Sequence, residues 1–231
     1  MSILLKVVFV VILLASVAMS QDLSRDQKIK NIFDLHDQIT ALEQEIMVPD
    51  ANDIELAQKQ GLTALRLLPR QPYEKVLTTR GGGAYYSFLR KTHEYGYGSD
   101  IELQQGKLSV GFAGADYGFI ADMGNIPLTS VSLDNADIVF LVNYQPPTEM
   151  TEIRKEQAKS RNYETPTATF SSSVTAMVGH SYALRSLGFD QSDVLIAFKV
   201  VRRDVDGSLI LFWKLLKTYD KPIISKESVK N

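Results

Sequence analysis

Hydrophobic residues recur at alternating three- and four-residue steps near the start of the chain, at Ile32, Leu35, Ile39, Leu42 and Ile46. That period gathers them on one side of an α-helix. Ser24-x-x-Gln27 opens the pattern as a capping box, whose hydroxyl and amide satisfy N–H groups of the first turn. Two heptads fall short of a sustained coiled coil, so the stripe predicts packing onto the chain's own domain, with self-association as the lesser reading. Pro49 ends the helix, and Asn52 or Asp53 caps a second one predicted to run to about Leu68, before Pro69 and Pro72 interrupt the chain.

From Ala84 the period changes to two, the signature of strands. Segments 84–92, 100–104, 107–113 and 117–123 alternate in this way, divided by turns such as Gln105-Gly106 and Gly114-Ala115-Asp116. Segment 137–144 reads as a further, buried strand. Segment 148–161 is highly charged, with little beyond Met150 and Ile153 on any apolar face, and predicts a solvent-exposed helix.

The strongest pattern comes last. Val194, Ile196, Phe198 and Val200 alternate on one strand and Leu209, Leu211, Trp213 and Leu215 on another, with Asp204-Val205-Asp206-Gly207 between them. A four-residue loop sets Phe198 opposite Trp213 and Lys199 opposite Phe212. A tighter turn would face Lys199 with Lys214, a like-charge pair that costs stability. Leu195, Val201, Ile210, Phe212 and Leu216 make the second face apolar too, so both faces are predicted to be covered. The fold class is α+β: an N-terminal helical pair followed by a mainly antiparallel β-sheet, as a sandwich or open barrel, with one late polar helix.

An apolar run at residues 7–15, preceded by Lys6 and followed by Ala18-Met19-Ser20, has the layout of a secretory signal peptide. It is shorter than the roughly 20 residues of a spanning helix. The predicted organisation is therefore a signal peptide at 1–20, a helical segment at 21–72 packed on the sheet, and a mainly β domain at 73–231. The destination is periplasmic or extracellular, with no stable membrane insertion after cleavage. Apolar residues make up 45% and charged residues 23%, an ordinary globular balance. Losing Lys6 moves the formal net charge from −2 to −3, which argues against bulk attraction to nucleic acid. The absence of cysteine excludes disulfides, thiolate metal sites and cysteine nucleophiles.

Two blocks mix aromatic residues with glycine. In segment 84–100, Tyr95, Tyr97, Arg90, His93 and Glu94 are the candidate ligand-binding residues: tyrosine faces stack on a sugar or planar group, while charged side chains supply donors and acceptors. The plainer reading is a strand leaving the sheet through a glycine turn. Segment 111–119 is the second block, and its glycines mark a bulge, a bend or a close approach. Gly81-Gly82-Gly83 precedes a strand instead of a helix, which suits a flexible entry more than a phosphate cradle.

The candidate catalytic residues are His93, Glu94, Asp100 and Asp116, with Asp116 also placed to be an ordinary turn residue. His180 falls in phase with Val174, Ala176, Val178, Tyr182 and Leu184, which predicts a core histidine, and His36 flanks the helical stripe. There is no His-Glu-x-x-His and no nucleophile elbow, so no metal and no cofactor is called for. The leading expectation is a secreted, non-catalytic binding or interaction domain for a small molecule, glycan or protein. Its rival is a secreted hydrolase acting on glycosidic bonds through a carboxylate pair near His93.

Overall fold

The computed structural model describes residues 23–93, 95–96 and 98–225, so the expected signal peptide, Glu94 and Tyr97 lie outside the described residues. Two compact units divide after Leu42. The first holds most of helix α1 (Arg25–Met47). Its capping box forms reciprocally: the Ser24 N–H donates to Gln27 Oε1 at 2.9 Å and the Gln27 N–H to Ser24 Oγ at 3.2 Å. Ile32, Leu35, Ile39 and Leu42 on the helical stripe are exposed.

In the second unit, α1 ends with Glu43 and Met47 buried, and α2 (Ala51–Lys59) follows. The second helix was expected to reach Leu68 but stops nine residues earlier. Gly61 takes a left-handed conformation, and the Leu62 N–H closes onto the Ala57 carbonyl at 2.9 Å. Thr63-Ala64-Leu65-Arg66-Leu67 then becomes strand β1 (Thr63–Leu67), because Leu65 and Leu67 alternate and a partner strand is waiting. A short turn, α3 (Arg70–Tyr73), follows it.

The remaining strands are β2 (Tyr85–Tyr86), β3 (Ile101–Gln104), β4 (Lys107–Ser109), β5 (Tyr117–Asp122), β6 (Tyr163–Glu164), β7 (Thr169–Ser171), β8 (Ser173–Thr175), β9 (Ser181–Gly188), β10 (Ser192–Arg203) and β11 (Leu209–Tyr219). They form a seven-stranded sheet, in the order β1-β11-β10-β9-β5-β7-β6, and a four-stranded sheet, in the order β2-β3-β4-β8. Every pairing is antiparallel. The fold is α+β.

Strand alternation sorts the side chains into two cores. Tyr182, Leu184, Ile196, Phe198, Leu211 and Trp213 leave one face of the large sheet and meet Tyr86, Ile101, Leu103 and Leu108 from the small one. Phe119, Ala183, Leu195, Ala197, Ile210 and Phe212 leave the other face and pack beneath helical segments. The central hairpin is thus covered on both sides, as its doubly apolar strands predict.

Helix α5 (Met150–Lys159) is the late polar helix, anchored by the fully buried Ile153. Segment 137–144, expected as a strand, instead forms a 3₁₀ turn (Ala136–Ile138) and helix α4 (Val139–Asn143). Short apolar runs do not separate helix from strand by period. Here the run lies on the sheet with Ile138 and Leu141 buried and Val139 exposed, a one-sided pattern that suits a helix.

The hairpin pairs Phe198 with Trp213 and Lys199 with Phe212, as expected, but by a different route. The register shifts between Val200 and Arg202, which sets Arg203 opposite Leu209 and leaves residues 204–208 as the connection. The Asp204 N–H to Ser208 carbonyl bond, 2.9 Å, closes it. Segment 84–92 is likewise shorter than expected. Beyond Tyr86 only an isolated bridge joins Ser87 to Thr92, because Lys91 adopts a positive φ in the turn between them.

Candidate functional site

The four-stranded sheet turns one face to the core, and on its other face one row of residues crosses all four strands. Tyr85 pairs with Glu102, Glu102 with Ser109, and Ser109 with Ser173, one residue from each of the four strands. The two flanking rows, Tyr86 with Ile101 on one side and Leu103 with Leu108 and Val174 on the other, point into the core. Alternation therefore separates the polar row from the apolar one. Within the polar row the Tyr85 hydroxyl donates to Glu102 Oε1 at 2.6 Å, and the Ser109 hydroxyl donates to Ser173 Oγ at 2.9 Å.

This row floors a cavity of about 480 Å3, within the usual range for small-ligand sites. Its walls come from far along the sequence. Arg70 reaches Glu102 Oε1 through Nη1 at 3.2 Å and Glu74 through Nη2 at 2.7 Å. Those two carboxylates outnumber the guanidinium by one negative charge, while Arg70 Nε is buried with no hydrogen-bond partner. Burial and the Glu102 carboxylate push the Tyr85 phenol well above its ordinary pKa, so it stays a donor. Tyr95 lies 4.7 Å from the Tyr85 ring, and Phe112 meets the same ring edge-on at 5.2 Å.

The two aromatic and glycine blocks thus converge here: Tyr85 and Tyr95 come from one, Phe112 from the other. Glycine makes the junction possible. At Gly111, with φ +81°, a Cβ would lie 2.6 Å from Tyr117 Cα, so only glycine lets the Phe112 loop approach β5 this closely. The Gly81-Gly82-Gly83 entry, read as flexible, is instead a packed turn with positive φ at all three positions. A Cβ at Gly82 would collide with the backbone of Tyr73 and Glu74. Just before it, the N–H and hydroxyl groups of Thr78 and Thr79 all donate to the buried Glu43 carboxylate. Burial there raises the Glu43 pKa, but these bonds outweigh it and hold it below the usual carboxylate value.

Of the residues singled out from sequence, Tyr95 lines the cavity. Arg90 is exposed, with its backbone N–H on Ser87 Oγ at 3.3 Å. Glu94 and Tyr97 lie outside the described residues. His93 packs against the Tyr86 ring at 5.0 Å, with Nε2 2.7 Å from the Arg66 carbonyl. A carbonyl only accepts, so Nε2 carries the proton, and burial lowers the ring's pKa further toward the neutral form.

Asp100 and Asp116 both serve as internal acceptors. Asp100 Oδ2 takes the Phe88 N–H at 2.8 Å, and Asp116 Oδ1 takes the Phe189 N–H at 2.9 Å. His180, expected in the core, is partly exposed and binds Asp122 at 2.9 Å. The chain turns at Gly179, so the phase running from Val174 to Tyr182 is broken there. Among the described residues, no group of three or more histidines and carboxylates is placed to hold a metal ion. Arg70 and Glu102 were not visible as site residues: Glu102 is one charge in a strand, and Arg70 arrives from a turn 32 positions away.

Asp100 yields a pH prediction. Burial pushes its carboxyl up to about 6, against the pull of the Phe88 N–H, Ser186 and Arg90, with Asp116 adding repulsion. Its folded pKa is raised, so its favourable contribution is complete below about pH 4 and is lost as pH rises through 6. Asp100→Asn keeps an acceptor for the Phe88 N–H without the charge. The stability difference between variant and wild type should move in the variant's favour by up to roughly 3 kcal/mol from pH 4 to pH 7. Urea unfolding of both proteins at pH 4, 5.5 and 7 measures it, and a difference independent of pH would mean Asp100 is not strained by its charge.

No helix among the described residues is long and apolar enough to cross a membrane. Comparison of the chain with protein-family models, with curated proteins and with solved structures finds no match.

Proposed function

We propose that this chain is an exported, non-catalytic binding domain whose ligand sits on the outer face of the four-stranded sheet. One observation carries the reading: two aromatic and glycine segments, apart in sequence, supply Tyr85, Tyr95 and Phe112 to one cavity beside the ion-paired Arg70, Glu74 and Glu102 side chains. Rings offer apolar faces, and a few convergent polar groups set orientation, which is the usual make-up of a small-ligand site. The internal hydrogen bonds made by His93, Asp100 and Asp116 favour binding over hydrolysis. The export half of the proposal rests on the leader-like pattern of residues 1–20.

A thermal-shift screen of neutral small molecules and sugars tests it, followed by titration of any hit against variants. Tyr95→Ala and Arg70→Ala should each weaken the hit at least tenfold, since ring and guanidinium contacts dominate compact interfaces. Tyr95 is half-buried at the cavity rim, and its loss should leave the unfolding midpoint nearly unchanged. Unaltered affinity in both variants would place the ligand elsewhere, and turnover of the hit would favour the hydrolase.

A further inference from the structure

Every residue of α1 from Arg25 to Leu42 is exposed, the isoleucine and leucine stripe included. In the last turn Glu43 and Met47 are buried, yet Leu42 and Ile46 of the stripe remain 59% and 37% exposed. At 3.6 residues per turn, Glu43 and Met47 occupy one face of the helix and the stripe occupies the face beside it. The last turn is therefore held by the first face, and the apolar face is left open.

We infer that this face pairs with the same face of a second copy of the chain, the two helices running antiparallel. The inference uses none of the cavity's residues and is independent of the binding reading. The spacing of Ile32, Leu35, Ile39 and Leu42 is the same read in either direction. A two-fold axis beside Asp37 then sets Ile32 against Leu42 of the second copy and Leu35 against its Ile39, and repeats both layers. Each layer joins one isoleucine to one leucine.

Charge selects the direction. Arg25 and Lys28 continue the stripe toward the N-terminus at the same three- and four-residue steps, and Glu45 flanks its other end. In the antiparallel register Lys28 lies over Ile46 of the second copy, so its stem covers apolar surface and its ammonium meets Glu45. Parallel helices would instead set Arg25 against Arg25 and Lys28 against Lys28 in the seam, which costs stability. The same contrast runs along the whole helix. Residues 25–30 carry three cations and one anion, whereas residues 34–45 carry four carboxylates and no lysine or arginine. That acidic majority suits a copy of the helix in reverse more than a lipid surface, which calls for a basic polar face.

Sedimentation velocity of the full mature protein, from about 1 to 500 µM, is the test. Two heptads make a small interface, so a reversible dimer should form with a Kd on the order of 10–100 µM. Leu35→Glu should keep the protein monomeric throughout, with its melting temperature at about 1 µM unchanged because the side chain is exposed. Lys28→Glu and Glu45→Lys should each weaken the dimer about tenfold, and the two changes together should restore it. In a parallel pair Lys28→Glu merely exchanges one like-charge contact for another. The chain has no cysteine, so introduced thiols give a second reading of direction. On mild oxidation, Ile32→Cys and Leu42→Cys proteins should cross-link to each other when mixed, and neither to itself. A wild type still monomeric at about 500 µM, a dimer indifferent to Leu35→Glu, or Ile32→Cys linked to itself would overturn the inference. Leu35-dependent binding to phosphatidylglycerol vesicles, with no dimer in solution, would overturn it in favour of a membrane surface.

Discussion

Replacing Asp193 by alanine is expected to destabilise the protein by about 3–5 kcal/mol, the cost of leaving a buried charge without its partner. Arg185 and Asp193 are each 1% exposed at the side chain. They form a two-bond pair, Nε to Oδ1 at 2.9 Å and Nη2 to Oδ2 at 2.8 Å, between neighbouring strands β9 and β10. Arg185 Nη1 also donates to the Leu141 carbonyl, and the Tyr219 ring lies 3.6 Å from the guanidinium. Burial raises the Asp193 pKa and Arg185 opposes it, so the carboxylate depends on the guanidinium to remain charged. A urea midpoint reads the loss directly. Replacing both residues, as Arg185→Met with Asp193→Leu, should cost much less than the single change, because no charge is left alone. A double variant as unstable as Asp193→Ala would show that packing, and not the orphaned charge, sets the penalty.

Trp213→Ala should cost a similar amount, about 3–5 kcal/mol, from lost burial and the cavity left behind. The indole is 5% exposed. It lies 4.9 Å from Phe88 and 6.4 Å from Tyr86, so it joins the large sheet to the small one. Its Nε1 is buried without a partner, which makes the tryptophan imperfect where it stands. Trp213→Phe keeps a ring in place and removes the unpaired N–H, so its cost should stay below about 1.5 kcal/mol. Urea unfolding of both variants separates the roles. Equal losses in the two would mean that the full size of the indole, and not aromatic contact alone, holds the sheets together.

Long periodic segments were legible. Ser24, Gln27 and the Ile32 to Ile46 spacing gave α1, and the doubly apolar strands gave the central hairpin with Phe198 opposite Trp213. Short segments were not. Thr63 to Leu67 and residues 137–144 exchanged their expected states, because five apolar or alternating residues fit either geometry until a partner is available. The expected register holds from Ile196 to Val200, but the shift at Val201, invisible in the sequence, sets Arg203 opposite Leu209 and makes the connection five residues long instead of four.

The site was legible as composition and not as geometry. Tyr85, Tyr95 and Phe112 stand in the two blocks that drew attention, but nothing local shows that Glu102 lies beside Tyr85 or that Arg70 folds onto both. Those contacts are set by strand pairing and by a turn, both long-range outcomes.

The row Tyr85, Glu102, Ser109 and Ser173 alternates with the core-facing Tyr86, Ile101, Leu108 and Val174 along the same strands. The polar row and the apolar residues beside it therefore face opposite sides of one sheet. On the proposed binding reading, substitutions at the part-exposed Ser109 and Ser173 would alter ligand preference while the apolar side keeps the two sheets joined.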